Sequence, residues 1–430
     1  MARIDASLQL RPWWWNGIER HALSEADPPE RVDVAIVGIG FTGISAALTL
    51  ARRGREVLLL DARDPGDGAS SRNLGMAVDD LGMPFGELVR RKKLEPAIAM
   101  AREAGEALTW LEQLIEQDGI DCDYRRTGRV HLAATLAHFD LLQADLELAA
   151  QHGAIDADLL DRAAARAEVA SDAFHGGVFY PRGGGLDPHK LTEGLFERAV
   201  KAGVTIASRC GVLGITDEGG HFDIQTELGG IRAATVVLAT NAYTGRPIPG
   251  LRRRQVRVGG HAVVTEPLGQ DLVRQLLPRG RMAHDSRLRA RFFRPTHDGQ
   301  RILFAGPPRL LMESQVACAE TLGDWMGDIF PQLRDVRLSH AWHGNVGLSF
   351  DRIPHIGQLG TLFYAAGYGW SGIAMALWLG HKLALKLLSD PEGASAFDSD
   401  RMPTLPFYQG TPWFLPPIMA YAAWRDRQGK

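Results

Sequence analysis

Three glycines and one carboxylate in the stretch VDVAIVGIGFTGISAALTLARRGREVLLLD, residues 32–61, have the types and spacing to hold a dinucleotide. Gly38, Gly40 and Gly43 read G-x-G-x-x-G: the first permits a tight turn, the second lets backbone approach a pyrophosphate, and the third lets a helix pack close to a strand. Phe41 and Thr42 follow where a helix from about Thr42 begins, whose N–H groups and dipole favour phosphate. Asp61 can accept the hydroxyls of an adenosine ribose and would repel a phosphate placed there. The elements that must position these residues are a buried strand before Gly38, a helix over about Thr42–Arg53, and a second strand ending at Asp61. Together they form a complete βαβ unit, and the unit alone leaves NAD and FAD both open.

Beyond Asp61 the chain runs through Ala62 and Arg63 into Gly68-Ala69-Ser70-Ser71-Arg72-Asn73-Leu74-Gly75. Small residues, hydroxyls and amides of this kind can line a second phosphate and a ring system, and composition alone reads equally well as a solvent loop. Glycines recur at Gly367-Tyr368-Gly369-Trp370-Ser371-Gly372-Ile373, ahead of an apolar pattern that predicts a helix starting near Ser371 or Gly372.

The run GDGASSRNLG after LLLDA resembles the flavin loop of the D-amino-acid-oxidase-like superfamily of FAD-dependent amine oxidoreductases, whose usual form is close to GASGRNGG. Further similarity lies in Ala239-Thr240-Asn241-Ala242-Tyr243-Thr244, in Phe350–Gly357 and in Tyr364–Ile373. The proline-rich tail, Pro406-Phe407-Tyr408 and Pro412-Trp413-Phe414-Leu415-Pro416, resembles that of the γ-glutamylputrescine-oxidase-like branch. The resemblance implies an α/β (α+β overall) architecture: a Rossmann-like FAD-binding domain with an inserted antiparallel-sheet substrate domain. It implies FAD contacts from the first glycine unit, from Asp61 to Arg63, and from Ala69 through Gly75. Gly211, Val212, Thr240, Asn241, Gly344 and the segment Gly367 to Ile373 are implied as well. A helix N-terminus after Ser371 would face the pyrimidine edge of the isoalloxazine and favour the negative charge that develops on reduction.

The implied activity is oxidation of an amine C–N bond to an imine, hydrolysed to an aldehyde plus amine or ammonia, with O2 accepting the electrons to give H2O2. A γ-glutamylputrescine-like amine is the leading substrate. Other readings are a sarcosine, N-methyl or D-amino acid oxidase, a quinone-linked amine dehydrogenase, and a non-catalytic flavin scaffold, the last kept open by Leu74 where the family usually has glycine. Covalent relatives attach the flavin through a cysteine where this chain has Gly344, and no cysteine follows Cys318, so the FAD is expected to be noncovalent. Relatives that clamp a substrate carboxylate use a lysine where counting from Gly367 gives Ala374, which argues against a small α-amino acid. Arg72, Arg291, Arg294 and His343 are candidates for a polar or anionic substrate end. Of these, Arg291 and His343 are candidates for promoting reaction with O2. Asn73 and Tyr368 are expected as walls of the flavin site, and His131, His138, His175, His189 and His284 as surface or structural residues.

The 430 residues are 45% hydrophobic with a formal charge of −3, which suits a large core and excludes a basic nucleic-acid footprint. Cys122, Cys210 and Cys318 show neither disulfide nor zinc spacing, which fits a reducing cytoplasm. Neither a signal pattern nor a spanning apolar run is present; the oligomeric state is not legible. Segments 31–85, 170–245 and 340–395 are assigned to a discontinuous FAD domain, 86–169 and 246–339 to the substrate domain, and 1–30 and 396–430 to terminal segments packed on the body. Within these, 94–168 reads as helical. Val256–Val258, His261–Thr265, Ala290–Pro295 and Ile302–Ala305 read as strands of an antiparallel sheet over the flavin. Trp13–Trp15 and the tail Pro412–Trp424 are expected to dock on the protein, with the tail prolines interrupting any helix in its first half.

Overall fold

The computed structural model describes residue 4 and residues 7–17, 28–308, 314–399 and 401–428. Residues 18–27 of the first terminal segment lie outside the described part, as do 429–430 of the last. The apolar strands Arg31–Val37 and Val57–Leu60 lie at the centre of an eight-stranded sheet, running parallel to each other and to Gly229–Leu238 and Thr205–Ala207. Their near-continuous hydrophobicity follows from burial on both faces. Val34, Ile36 and Leu59 pack under the helix Phe41–Arg52, whereas Ala35, Val37 and Leu58 pack on the opposite side with Phe222 and Ile224. The helix Gly372–Leu387 begins where the sequence pattern places it and lies along Phe41–Arg52, with Ser45 Oγ donating to Leu377 O at 2.6 Å.

A second eight-stranded sheet follows the order Leu338–Ser349, Gln255–Thr265, Ile302–Gly306, Phe292–Pro295, Met282–Asp285, Arg129–Leu132, Gly177–Tyr180, Asp158–Leu160. It is antiparallel except where Met282–Asp285 runs parallel to Arg129–Leu132. The two runs expected around 256–265 are one strand, pairing along its length with Leu338–Ser349. The stretch 94–168, read as helical, contains three helices and also Arg129–Leu132 and Asp158–Leu160. Those short strands exist because partners distant in sequence complete their hydrogen bonds, a tertiary effect that overrides local pattern. Likewise Gly177–Tyr180, and Leu338–Ser349 from residue 340 onward, assigned by segment to the FAD domain, are hydrogen-bonded into this second sheet.

Side chains alternate across a strand, so the second sheet has two distinct faces. One is covered by the helix Gln315–Ile329 and its apolar cluster with Val263, Phe293 and Phe304. The other turns toward the first sheet: Trp342, Gly344, Val346 and Leu348 of one strand all line the space between the sheets. The N-terminal indoles pack against this sheet, Trp14 being buried with Ala262, Val264, Leu303 and Trp342.

At the other terminus, Leu415–Gln428 is a continuous helix, contrary to the expected interruption. Pro416 and Pro417 fall in its first turn, where the missing N–H groups have no intrahelical partner to lose. The helix is held by Asp426, whose carboxylate accepts from Leu288 N (2.9 Å) and Arg289 N (3.3 Å) and pairs with the Arg289 guanidinium. Among the described residues no helix is long and apolar enough to cross a membrane.

Candidate functional site

A cavity of about 1560 Å³ runs between the two sheets. Its inner end is built by the first βαβ unit. Gly38 has φ +113°, and an ideal Cβ on Gly43 would sit 1.9 Å from Gly38 O, so the helix approaches the strand as closely as backbone allows. Gly40 caps the helix, Phe41 N donates to Ser70 Oγ at 3.0 Å, and Phe41 and Thr42 lie on the wall. At the end of the second strand Asp61 accepts from Ile39 N (2.9 Å) and Arg63 N (3.0 Å). Burial pushes its carboxyl above the usual range, and those two N–H groups pull the other way. Ala62, Gly211 and Val212 line the same end.

These residues fit FAD. The glycine cradle leaves a space a Cβ would fill, a helix N-terminus faces it, and a carboxylate stands at the ribose position. The cavity also exceeds the ~300–1,000 Å³ of an ordinary small-molecule pocket, leaving room for a dinucleotide and a substrate together.

The loop Gly68–Gly75 forms the next part of the wall, with Ala69, Ser70, Arg72, Asn73 and Leu74 on the cavity. Three indoles fasten it from behind. Trp14 Nε1 donates to Asn73 O (3.0 Å), Trp15 Nε1 to Ser71 Oγ (3.0 Å) and Trp342 Nε1 to Arg72 O (2.8 Å). Arg72 Nε bonds Asp67 O, and its guanidinium lies 4.5 Å from the Trp15 ring. Ser71 and Gly75 therefore act from behind the wall, Gly75 at a turn with φ +64° whose carbonyl accepts from Arg294.

At the middle of the cavity Asn241 Oδ1 accepts from Gly367 N at 3.0 Å, tying the segment after Leu238 to the C-terminal glycine turn. Thr240, Asn241, Gly344, Tyr368, Gly369, Trp370, Ser371, Gly372 and Ile373 line this part. Thr42 Oγ1 donates to the buried Tyr368 hydroxyl at 2.8 Å, and burial raises the phenol's pKa, so Tyr368 stays neutral.

Other residues named from sequence stand elsewhere. Arg291 is off the cavity wall, with Asp285, Asp328 and the Trp325 ring as its partners. Burial lowers its pKa to about 10. Arg294 is buried and donates to Leu74 O, Gly75 O and Leu186 O, which makes it a brace of the flavin loop. His343 sits on the neighbouring strand position to Gly344 but points away from the cavity, its Nδ1 2.8 Å from Gln315 Nε2. Ala374 lies in the first turn of the helix Gly372–Leu387, buried in the core and off the cavity wall.

The cavity also gathers residues that sequence reading missed. His131, His138 and His284, read as surface or structural, line it together with Asp80, Arg129 and Tyr180. His131 and His284 stack at 4.1 Å between centroids, His284 on Phe292 at 5.5 Å, and Phe292 on Trp370 at 5.8 Å, giving an aromatic wall. Burial, aided by Arg129, takes His131 down to about 3 and His284 well below its usual value, so both imidazoles are uncharged at neutral pH. Arg129 pairs with Asp80 and lies 3.8 Å over the Tyr180 ring. No spacing links these residues along the chain; the one signal available was period-two alternation in Arg129–Leu132 and Met282–Asp285, which puts 129 with 131 and 282 with 284.

Comparison with known proteins bears on this geometry. Residues 33–385 match the family described as FAD dependent oxidoreductase. The chain is 30% identical over 402 residues to the gamma-glutamylputrescine oxidoreductase of Escherichia coli strain K12, covering 92% of this chain and 93% of that one. It is 28% identical over 383 residues to a probable oxidoreductase, OrdL, of Haemophilus influenzae, covering 87% of each. The crystal structure of glycine oxidase from Geobacillus kaustophilus superposes with a TM-score of 0.68 at 22% identity, over 89% of this chain and 99% of that one.

Proposed function

This chain belongs to the FAD-dependent oxidoreductase family and is an FAD enzyme acting on amine or amino-acid substrates, and from that premise we propose a narrower activity. The substrate is a long amine with a distant carboxylate or amide, of the γ-glutamylputrescine kind. O2 is the acceptor, the FAD is noncovalent and the protein works in the cytoplasm. One observation carries the substrate reading: besides Tyr368–Gly372 and the aromatic wall, the same cavity is lined by the guanidinium-bearing residues Arg90, Arg287 and Arg425. A primary amine placed inside would let an anionic far end meet a guanidinium of this set, Arg287 among them being already paired with Asp285, whereas a small α-amino acid would be too short to use both ends of the cavity. The relation to the E. coli enzyme supports the same reading.

Bound FAD supplies a two-electron acceptor for the hydride leaving the substrate's α-carbon. The chain's own residues hold and shield. Gly38 to Thr42 and Asp61 would grip the dinucleotide, and the start of the helix Gly372–Leu387 presents its positive end to the middle of the cavity. Phe292, Trp370 and the neutral His131–His284 pair exclude water from the carbon chain. Noncovalent binding is supported by Gly344 at the attachment position and by three buried thiols: Cys122 and Cys318 are off the wall, and Cys210 stands at the nucleotide end. The buried thiols also suit a reducing compartment.

The test is an anaerobic panel of amines scored by loss of flavin absorbance. Amines bearing a distant carboxylate or amide should reduce the flavin faster than sarcosine or glycine at equal concentration; the reverse order overturns the substrate reading. A quinone-linked dehydrogenase has one observation in its favour, the exposed Trp413, Ile418, Tyr421 and Trp424 on and just before the terminal helix, whose Leu415, Ile418 and Met419 line the cavity. Rapid reoxidation of the reduced enzyme by dissolved O2 supports the oxidase, and reoxidation by a quinone alone supports the dehydrogenase.

A further inference from the structure

We propose that Asp80 is the anchor for the substrate's ammonium group, with Arg129 and Ser371 positioning its carboxylate. The inference rests on the amine-oxidising reading above and names the residue that would make the inner cavity select a cation.

Asp80 touches the turn that begins the helix Gly372–Leu387: its Oδ1 accepts from Ser371 Oγ at 2.6 Å and from Gly82 N at 2.7 Å. Its Oδ2 pairs with Arg129. A carboxylate has about four acceptor positions, and these contacts use three of them. The fourth belongs to the oxygen facing Arg129. The pair is lopsided in exposure, Arg129 being 6% exposed and Asp80 26%, so the carboxylate is the member open to the cavity.

The surroundings favour a cation there. Asp79 contributes a second carboxylate beside Arg129, its own partner Arg182 lying 3.9 Å away and more exposed. His131 beside Asp80, and His284 stacked on His131, carry no charge. Burial alone would raise the Asp80 carboxyl, but Arg129, Ser371 and the Gly82 N–H outweigh it and hold the group below its usual range. An acid so stabilised is a poor proton acceptor and a persistent counter-ion.

The remaining acids on the cavity wall are occupied or remote. Asp61 and Glu227 bind backbone N–H groups at the nucleotide end, and Asp145 binds Phe85 N and Gly86 N. Asp285 is fully enclosed with Arg287, and Glu87 pairs with Arg91 and Arg352. Asp80 alone among them meets Ser371, where the aromatic wall also ends at Trp370. An ammonium bound at Asp80 would lay its carbon chain along those rings.

The experiment uses FAD-loaded enzyme and two unreactive probes of one shape, cationic butylguanidine and neutral butylurea, titrated by their perturbation of the flavin spectrum. Wild type should bind butylguanidine at least about tenfold more tightly. Asp80→Asn should weaken it roughly 10- to 100-fold, the loss of a charged hydrogen bond, and leave butylurea within about twofold. The double variant Asp80→Asn/Arg129→Met removes the unpaired guanidinium that the single variant leaves. It should remain as weak if Asp80 is the anchor and recover if Asp80 merely neutralises Arg129. Equal binding of the two probes by wild type, or recovery in the double variant, overturns the proposal. Failure of every amine to reduce wild-type flavin would instead overturn the amine-oxidising reading, a separate measurement.

Discussion

Replacing Gly43 with alanine should cost the enzyme its cofactor before it costs it its fold. The added Cβ would lie 1.9 Å from Gly38 O and 3.1 Å from Gly38 C, and both are backbone atoms that no rotamer change can move. Carbon–oxygen contacts sit near 3.3–3.6 Å, so the helix start must retreat by about 1.5 Å. Overpacking of this kind costs about 1–3 kcal/mol. The retreat draws Phe41 and Thr42 away from the cavity, so the strain falls on the bound state, where 1–3 kcal/mol converts to roughly 5- to 150-fold weaker FAD binding. Fluorescence titration of apoprotein with FAD measures this directly, with circular dichroism as the check on folding. Gly54→Ala is the control: φ is +78° there but no atom lies within 4 Å of the added Cβ. It should cost about 1 kcal/mol of stability and leave FAD affinity unchanged. Wild-type affinity in Gly43→Ala would refute the argument that helix–strand contact sets the cradle.

Acid precipitation should release all flavin into the supernatant, and colour retained in the pellet would contradict noncovalent binding. Burial raises the Asp351 carboxyl, but His355 (2.8 Å) and Lys92 (3.1 Å) outweigh it and hold the group below the carboxylate range. Its unfolded form therefore binds protons first as pH falls, and the stabilisation is full above about pH 4 and lost as pH drops through the folded value. Asp351→Asn should accordingly lower stability by about 1 kcal/mol at pH 7 and by progressively less below pH 4, measured by urea denaturation. Truncation after Gly410 removes the helix whose Leu415, Ile418 and Met419 line the cavity, so it should weaken substrate binding while retaining FAD. Unchanged binding by the truncated chain, with liposome sedimentation by the intact chain alone, would assign the helix to a membrane surface instead.

The nucleotide half of the protein was legible because its information is local. Gly38, Gly40, Gly43 and Asp61 lie within one βαβ unit, where the turn at Gly38 and the approach of Gly43 to Gly38 O are set locally, even though Ala239 and Ser70 also crowd Gly38 and Gly40. The start of the helix at Gly372 was equally readable, since capping and periodicity act over single turns. The indoles of Trp13–Trp15 were visible as a cluster, yet their role as fasteners of Asn73 and Ser71 depends on contacts across more than fifty residues. The substrate half was decided by tertiary structure. Asp80, Arg129, His131 and His284 meet because Arg129–Leu132 pairs with Met282–Asp285, a parallel register spanning about 150 residues that no motif announces. The same packing turned Arg291 toward Asp285 and His343 toward Gln315, away from the cavity where their residue types had suggested them. A residue's type states which chemistry it can do; strand pairing and the face it alternates onto determine whether that chemistry meets a ligand or is spent holding the protein together.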